Sequence, residues 1–190
     1  MNVLGGDAWR RHSPHQRGQR DPFANGHTKQ LPSLASGPFR YKTHADEYPR
    51  AARRHAKIPV KQAAAAPSAL SLLHPSEGIT GYSPEQFLVD PANEAETDIP
   101  GGLDADAHVV QLDFEEARPS LKLDPSAGPL DDFIALNNRV LSRFTGDERA
   151  RIGVYTGTGA ARWAGGLIQV SSPIQLSSVR RGVQPDGDRR

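Results

Sequence analysis

Apolar positions recur at helical spacing in one long stretch only. Leu130, Phe133, Ile134, Val140, Leu141 and Phe144 line one side of a predicted helix over residues 129–144. Asp131 and Asp132 fall in its first turn, where the helix dipole favours acids, and Gly146 is placed to end it. Two short strands are predicted after it, over 151–156 and 167–171, joined by a glycine-rich connection that contains Trp163. Residues 107–114 form the best third strand. These elements predict a small α+β module over 107–176. The run Val109-Val110-Gln111-Leu112, followed by Asp113, Glu115 and Glu116, has two readings. It is an internal strand of that module, or a strand that adds to the sheet edge of a partner with a basic rim.

Before residue 107 the periodicity fades. The first 45 residues hold Pro14, Pro22, Pro32 and Pro38 with scattered glycine, and follow neither a 3.6 nor a 2 period. They read as an extended arm. Pro49 opens a short helix that stops before Pro59, and residues 63–73 contain good helix formers interrupted by Pro67. Ser83-Pro84-Glu85-Gln86 carries a capping box with proline at the first helical position, and Pro91 limits that helix to about two turns. Residues 90–106 read as linker. The predicted fold is therefore mostly extended and irregular with short helices, plus a small α+β module near the C-terminus. It divides into a basic extended arm (1–61), an acidic linker with short helices (62–106), the module (107–176) and a basic tail (177–190). Near the C-terminus Ile168-Gln-Val-Ser-Ser-Pro173 is repeated as Ile174-Gln-Leu-Ser-Ser-Val179, an extended pattern suited to lying along a surface.

Composition sharpens this picture. Leu, Ile, Val and Phe together make 39 of 190 residues, about 20%, the level below which a packed core becomes hard to fill. Dependence on a partner surface follows. The net charge of +1 is a cancellation: residues 1–61 carry 12 bases and 4 acids, 62–117 carry 11 acids and no Lys or Arg, and 118–190 carry 11 bases and 7 acids. Such separated blocks meet different partners, or meet each other. With no cysteine, there is no disulfide framework and no thiol chemistry. No apolar run approaches a membrane span, and Arg10 and Arg11 interrupt the stretch where a secretory signal would lie, so cytoplasm is the expected location.

Candidate chemistry is sparse. Gly157-Thr-Gly159-Ala-Ala-Arg162 has arginine where a dinucleotide loop needs its third glycine, and reads as a hairpin connection. His12 and His15 lack the further ligands of a zinc site. No nucleophile-elbow signature occurs, and the adjacent Asp131 and Asp132 point to different sides of a helix. These features predict a non-enzymatic protein with no cofactor and no metal.

The arm carries the remaining signal. Phe39, Arg40, Tyr41, Lys42, Thr43 and Tyr48 alternate aromatic and cationic side chains, followed by Arg50, Arg53 and Arg54. Rings of this kind seat in small pockets while the cations pair with acidic protein surface. A solvated basic tail is the plainer alternative, and a nucleic-acid arm is another, because arginine with interleaved aromatics also suits phosphate and base stacking. Tyr41-x-Thr43-x4-Tyr48, with Ala52 and Pro59 downstream, resembles the Y-[RK]-T-x4-Y segment of piercer-type microtubule inner proteins of cilia. The resemblance covers about 24 residues of the arm, residues 37–60. It implies a structural, non-enzymatic role on the luminal wall of axonemal doublet microtubules, with tubulin and neighbouring axonemal proteins as partners and the cilium axoneme as location. The alternative is a nucleic-acid-binding subunit of a ribosomal or viral assembly. A third reading is a small enzyme built on residues 107–176.

Overall fold

In a computed structural model the chain is described over residues 20–22, 28–30, 32–117, 120, 128–156, 168–169, 173–175 and 179. A short antiparallel ribbon pairs β1 (Arg20–Pro22) with β2 (Thr28–Gln30). An extended segment leads to α1 (Glu47–Arg53), and β3 (Lys61–Ala65), α2 (Pro67–Ser71) and α3 (Pro84–Asp104) follow. Then come β4 (Val109–Asp113), α4 (Gly128–Leu141), α5 (Gly146–Ala150), β5 (Ile152–Tyr155) and β6 (Ile168–Gln169).

The main sheet has the order β3-β4-β5-β6. Its first three strands are parallel and β6 is antiparallel to β5. Parallel neighbours need a crossover between them, supplied here by α3 from β3 to β4 and by α4 from β4 to β5. Val110 and Leu112 of β4, with Ile152 and Val154 of β5, are almost fully buried against Ala92, Ala95, Ile99 and Leu103 of α3 and Leu130, Ile134, Val140 and Leu141 of α4. The helix predicted over 129–144 is thus α4, and the strands predicted over 107–114 and 151–156 are β4 and β5. Of the strand predicted over 167–171, Ile168 and Gln169 form β6.

Several expectations are overturned. Residues 90–106 are not linker: α3 runs 21 residues from Ser83, whose hydroxyl accepts from Gln86 N–H while Gln86 returns the bond to Ser83 N–H. Pro91 and Pro100 lie inside it. Each internal proline removes a helix bond at a cost of about 3 kcal/mol, which the burial of one helix face on the sheet offsets. Residues 63–73 are not one helix. Lys61–Ala65 pairs with β4 in register Lys61↔Val109 to Ala65↔Asp113, and α2 starts only at Pro67. Tertiary pairing overrides the weak strand preference of alanine. Gly146 does not end α4; it is the first residue of α5, capped by Thr145 in a reciprocal bond with Glu148. Between its two readings Val109–Leu112 takes the internal one, because both edges of β4 are paired. Its backbone offers no edge to a partner. The connection 157–167, the histidines at 12 and 15 and the tail 180–190 lie outside the described residues. Among the described residues no helix is long and apolar enough to cross a membrane.

Candidate functional site

Two sets of polar groups stand out. The first joins the arm to α3. Asp90, Glu94 and Asp98 follow one another at four-residue spacing, which puts three carboxylates on one helix face. The arm runs along that face. Phe39 N–H donates to Asp90 Oδ2 at 3.2 Å and to Tyr82 Oη at 3.0 Å, Tyr41 N–H donates to Glu94 Oε2 at 3.1 Å, and Ala45 N–H donates to Asp98 Oδ1. Arg40 reaches Asp90 at 2.7 Å and His44 lies 3.5 Å from Asp98. The Tyr82 hydroxyl also donates to Asp90, and burial first, then that bond, push its pKa up to about 12. Burial likewise raises the Asp98 carboxyl above its ordinary value, against the hydrogen bond from Ala45.

The apolar side of this contact is a second core of Leu34, Phe39, Leu70, Leu73, Tyr82 and Phe87. Phe39 is 1% exposed and meets Phe87 edge-on at 6.1 Å and Tyr41 at 5.7 Å. Of the residues expected to face a partner, Phe39 is therefore seated within its own chain. Arg40 is engaged by Asp90, Tyr41 and Thr43 are half-buried, and Arg53 pairs with Asp106 at 2.7 Å. Lys42, Tyr48, Arg50 and Arg54 are exposed. The basic and acidic blocks meet each other, and between residues 39 and 45 the arm packs on its own chain.

The second set lies on the sheet. Its two faces differ, because side chains alternate along a strand. Opposite the helices, β3 presents Lys61, Ala63 and Ala65, β4 presents Val109, Gln111 and Asp113, and β5 presents Gly153 and Tyr155, by their register. Lys61 Nζ donates to Gln111 Oε1 at 2.7 Å, and Gln111 Nε2 donates to Asp113 Oδ1 at 2.6 Å. Asp113 is half-buried at the C-terminal end of the central strand, and its Oδ2 has no hydrogen-bond partner among the described residues. Ala63, Ala65 and Gly153 flank this column with little side-chain volume.

Just beyond, Glu116 is buried and Oε1 accepts from the Ser68 hydroxyl, which in turn accepts from Asn137 Nδ2 at 2.7 Å. Glu116 Oε2 has no partner among the described residues. Burial pushes its pKa up to about 7, with the Ser68 bond opposing and the charges of Glu115 and Asp113 adding to the rise. The sequence pattern presents these acids as the end of a strand, internal or added to a partner's sheet with a basic rim. The missed signal is positional: they follow an apolar run at a strand C-terminus, where α/β folds place their ligands. Among the described residues no group of three or more His, Asp or Glu side chains is arranged to hold a metal ion.

Repeated strand–helix–strand units of parallel strands define an α/β protein. No family model matches the chain, and no curated protein matches it in sequence. Among solved structures it is similar to a B12-independent methionine synthase from Shewanella sp. W3-18-1, in complex with selenomethionine. The TM-score is 0.51 and the identity 15%, over 75% of this chain and 39% of that one. The likeness is one of fold. The chain spans well under half the length of that structure.

Proposed function

We propose that the chain binds a small amine-bearing ligand of the amino-acid class on the polar face of its sheet. The observation that carries this reading is Asp113. Its carboxylate stands at the C-terminal end of the central parallel strand with Oδ2 unengaged, flanked by Ala65 and by a column held through Gln111. An ammonium group suits that oxygen, since charge-assisted hydrogen bonds are the strong ones. The fold likeness to a methionine synthase holding selenomethionine makes methionine the first ligand to try. No chemical step is assigned to the site.

Titration calorimetry of the full chain with methionine and selenomethionine tests it. Saturable heat is expected, with Asp113→Asn weakening binding at least about tenfold, a loss of about 1.4 kcal/mol. Absence of binding in the wild-type chain, or unchanged binding in Asp113→Asn, would sink the proposal.

A second reading concerns the outward part of the arm. Tyr48 is 45% exposed, and Arg50 and Arg54 of the same helical segment are exposed too; such side chains suit an acidic protein surface such as tubulin. Co-sedimentation with stabilised microtubules should fall when Tyr48 and Arg54 are changed to alanine. Failure of the wild-type chain to co-sediment removes this reading.

A further inference from the structure

A cavity of about 380 Å³ opens at the other end of the sheet, lined by Arg53, Lys57, Ile58, Pro59, Asp106, His108 and Arg151. Its walls come from the end of α1, the approach to β3, the turn after α3, and the starts of β4 and β5. Each strand runs away from it, so Asp113 lies a strand length distant, roughly 16 Å for five residues. The two places are separate.

The charge of this cleft is lopsided. Arg53, Lys57 and Arg151 face one carboxylate, Asp106, for a balance of 3 − 1 = +2 with His108 neutral. Two of the cations have partners, one of them anchored. Arg151 Nη2 donates to Ala107 O at 2.6 Å and to Leu103 O at 3.4 Å, satisfying carbonyls at the end of α3 that would otherwise repel an anion. Arg53 Nε pairs with Asp106 Oδ2 at 2.7 Å. Asp106 itself sits at φ 66°, a left-handed turn conformation that carries its carboxylate back toward α1. Lys57 has no ion-pair partner among the described residues. An anchored Arg151, with Arg53 and the unpaired ammonium of Lys57 lining the same cavity, is suited to a doubly charged oxyanion.

We propose that this cleft binds a phosphate group carried by a small molecule, with Arg53, Lys57 and Arg151 as its ligands and Asp106 as the internal group it displaces. The volume exceeds that of a bare phosphate, and the apolar walls of Ile58 and Pro59 accommodate the part that carries it.

Phosphorus NMR titration of the full chain with inorganic phosphate and with pyrophosphate is the experiment. Saturable binding is expected, at least about tenfold weaker in Lys57→Gln. Asp106→Asn should bind several-fold tighter, because it frees Arg53 and because asparagine tolerates a positive φ. That gain cannot come from a misfolded variant. Unchanged affinity in Lys57→Gln, or weaker binding in Asp106→Asn, would overturn the proposal. Equal weakening by Arg54→Gln, outside the cavity lining, would assign the binding to the basic surface at large and overturn it too. Methionine titration of Lys57→Gln should match wild type, which keeps this test independent of the Asp113 site.

Discussion

The carboxylates of α3 and those at the end of β4 are both partly or wholly buried, but they are used differently. Asp90, Glu94 and Asp98 spend their oxygens on backbone N–H groups of the arm, on Arg40 and on Tyr82. Glu116 keeps one buried oxygen without a partner among the described residues, while Asp113 is half-buried and accepts from Gln111 through Oδ1. A buried acceptor that is met holds structure together; one left unmet carries a desolvation penalty that a ligand can relieve. The first set therefore reads as a strap, and in the second Glu116 is the carboxylate with an unmet acceptor. Burial raises the pKa of Glu116, and the bond from Ser68 only partly opposes it.

The comparison breaks most easily at the strap. Phe39→Ala removes a fully buried ring from the second core and should cost about 3–5 kcal/mol, read by urea unfolding. Gly37 sharpens the same point, since a Cβ there would meet the Tyr82 ring at 2.3 Å. A wild-type unfolding midpoint in Phe39→Ala would mean that the arm is not packed as described.

A smaller effect of opposite sign is expected at the other carboxylate. The Glu116 pKa is raised in the folded chain, from 4.5 to about 7. Its contribution to stability is therefore fully present below about pH 4.5 and lost as pH rises through about 7. Glu116→Gln keeps an acceptor for Ser68 and removes the charge. It should stabilise the protein by about 2–4 kcal/mol at pH 8 and by almost nothing at pH 4.5, measured as the difference from wild type at each pH. A pH-independent difference would refute the assignment of a buried, reluctantly charged carboxyl.

The smallest effect belongs to the exposed pair Arg50–Asp46, at 3.3 Å and four residues apart on α1. Arg50→Ala should change stability by less than about 0.5 kcal/mol, by thermal melting at moderate salt. A loss of several kcal/mol would show that α1 is tied into the strap more tightly than its exposure indicates.

Leu130, Ile134, Val140 and Leu141 announce α4 because an amphipathic helix must repeat its apolar positions. Val109–Leu112 announces a strand, though not that both its edges are paired. The helix α3 stayed hidden because Pro91, Pro100, Gly101 and Gly102 each disfavour a helix locally. Its 3.6-period stripe of Ala92, Ala95, Ile99 and Leu103 relies on alanine, which carries a weak apolar signal. The four-residue spacing of Asp90, Glu94 and Asp98 is visible in the sequence, but it gains meaning only once those residues are helical. Phe39 and Tyr41 are expected from the sequence to seat on a partner, whereas the surface that Phe39 fills belongs to the same chain.

The sequence by itself determined the local facts: the capping box at Ser83, the apolar face of α4, the opposed charge blocks and the aromatic anchors of the arm. Each depends on neighbours within a few residues. Tertiary structure alone decided that Lys61–Ala65 is a strand, that two internal prolines are tolerated, and that the arm lies on α3. Those outcomes rest on contacts about 40 to 55 residues apart, such as Lys61 with Val109 and Ala45 with Asp98. Local propensity does not encode such contacts, since their free energy appears only when both partners are buried together.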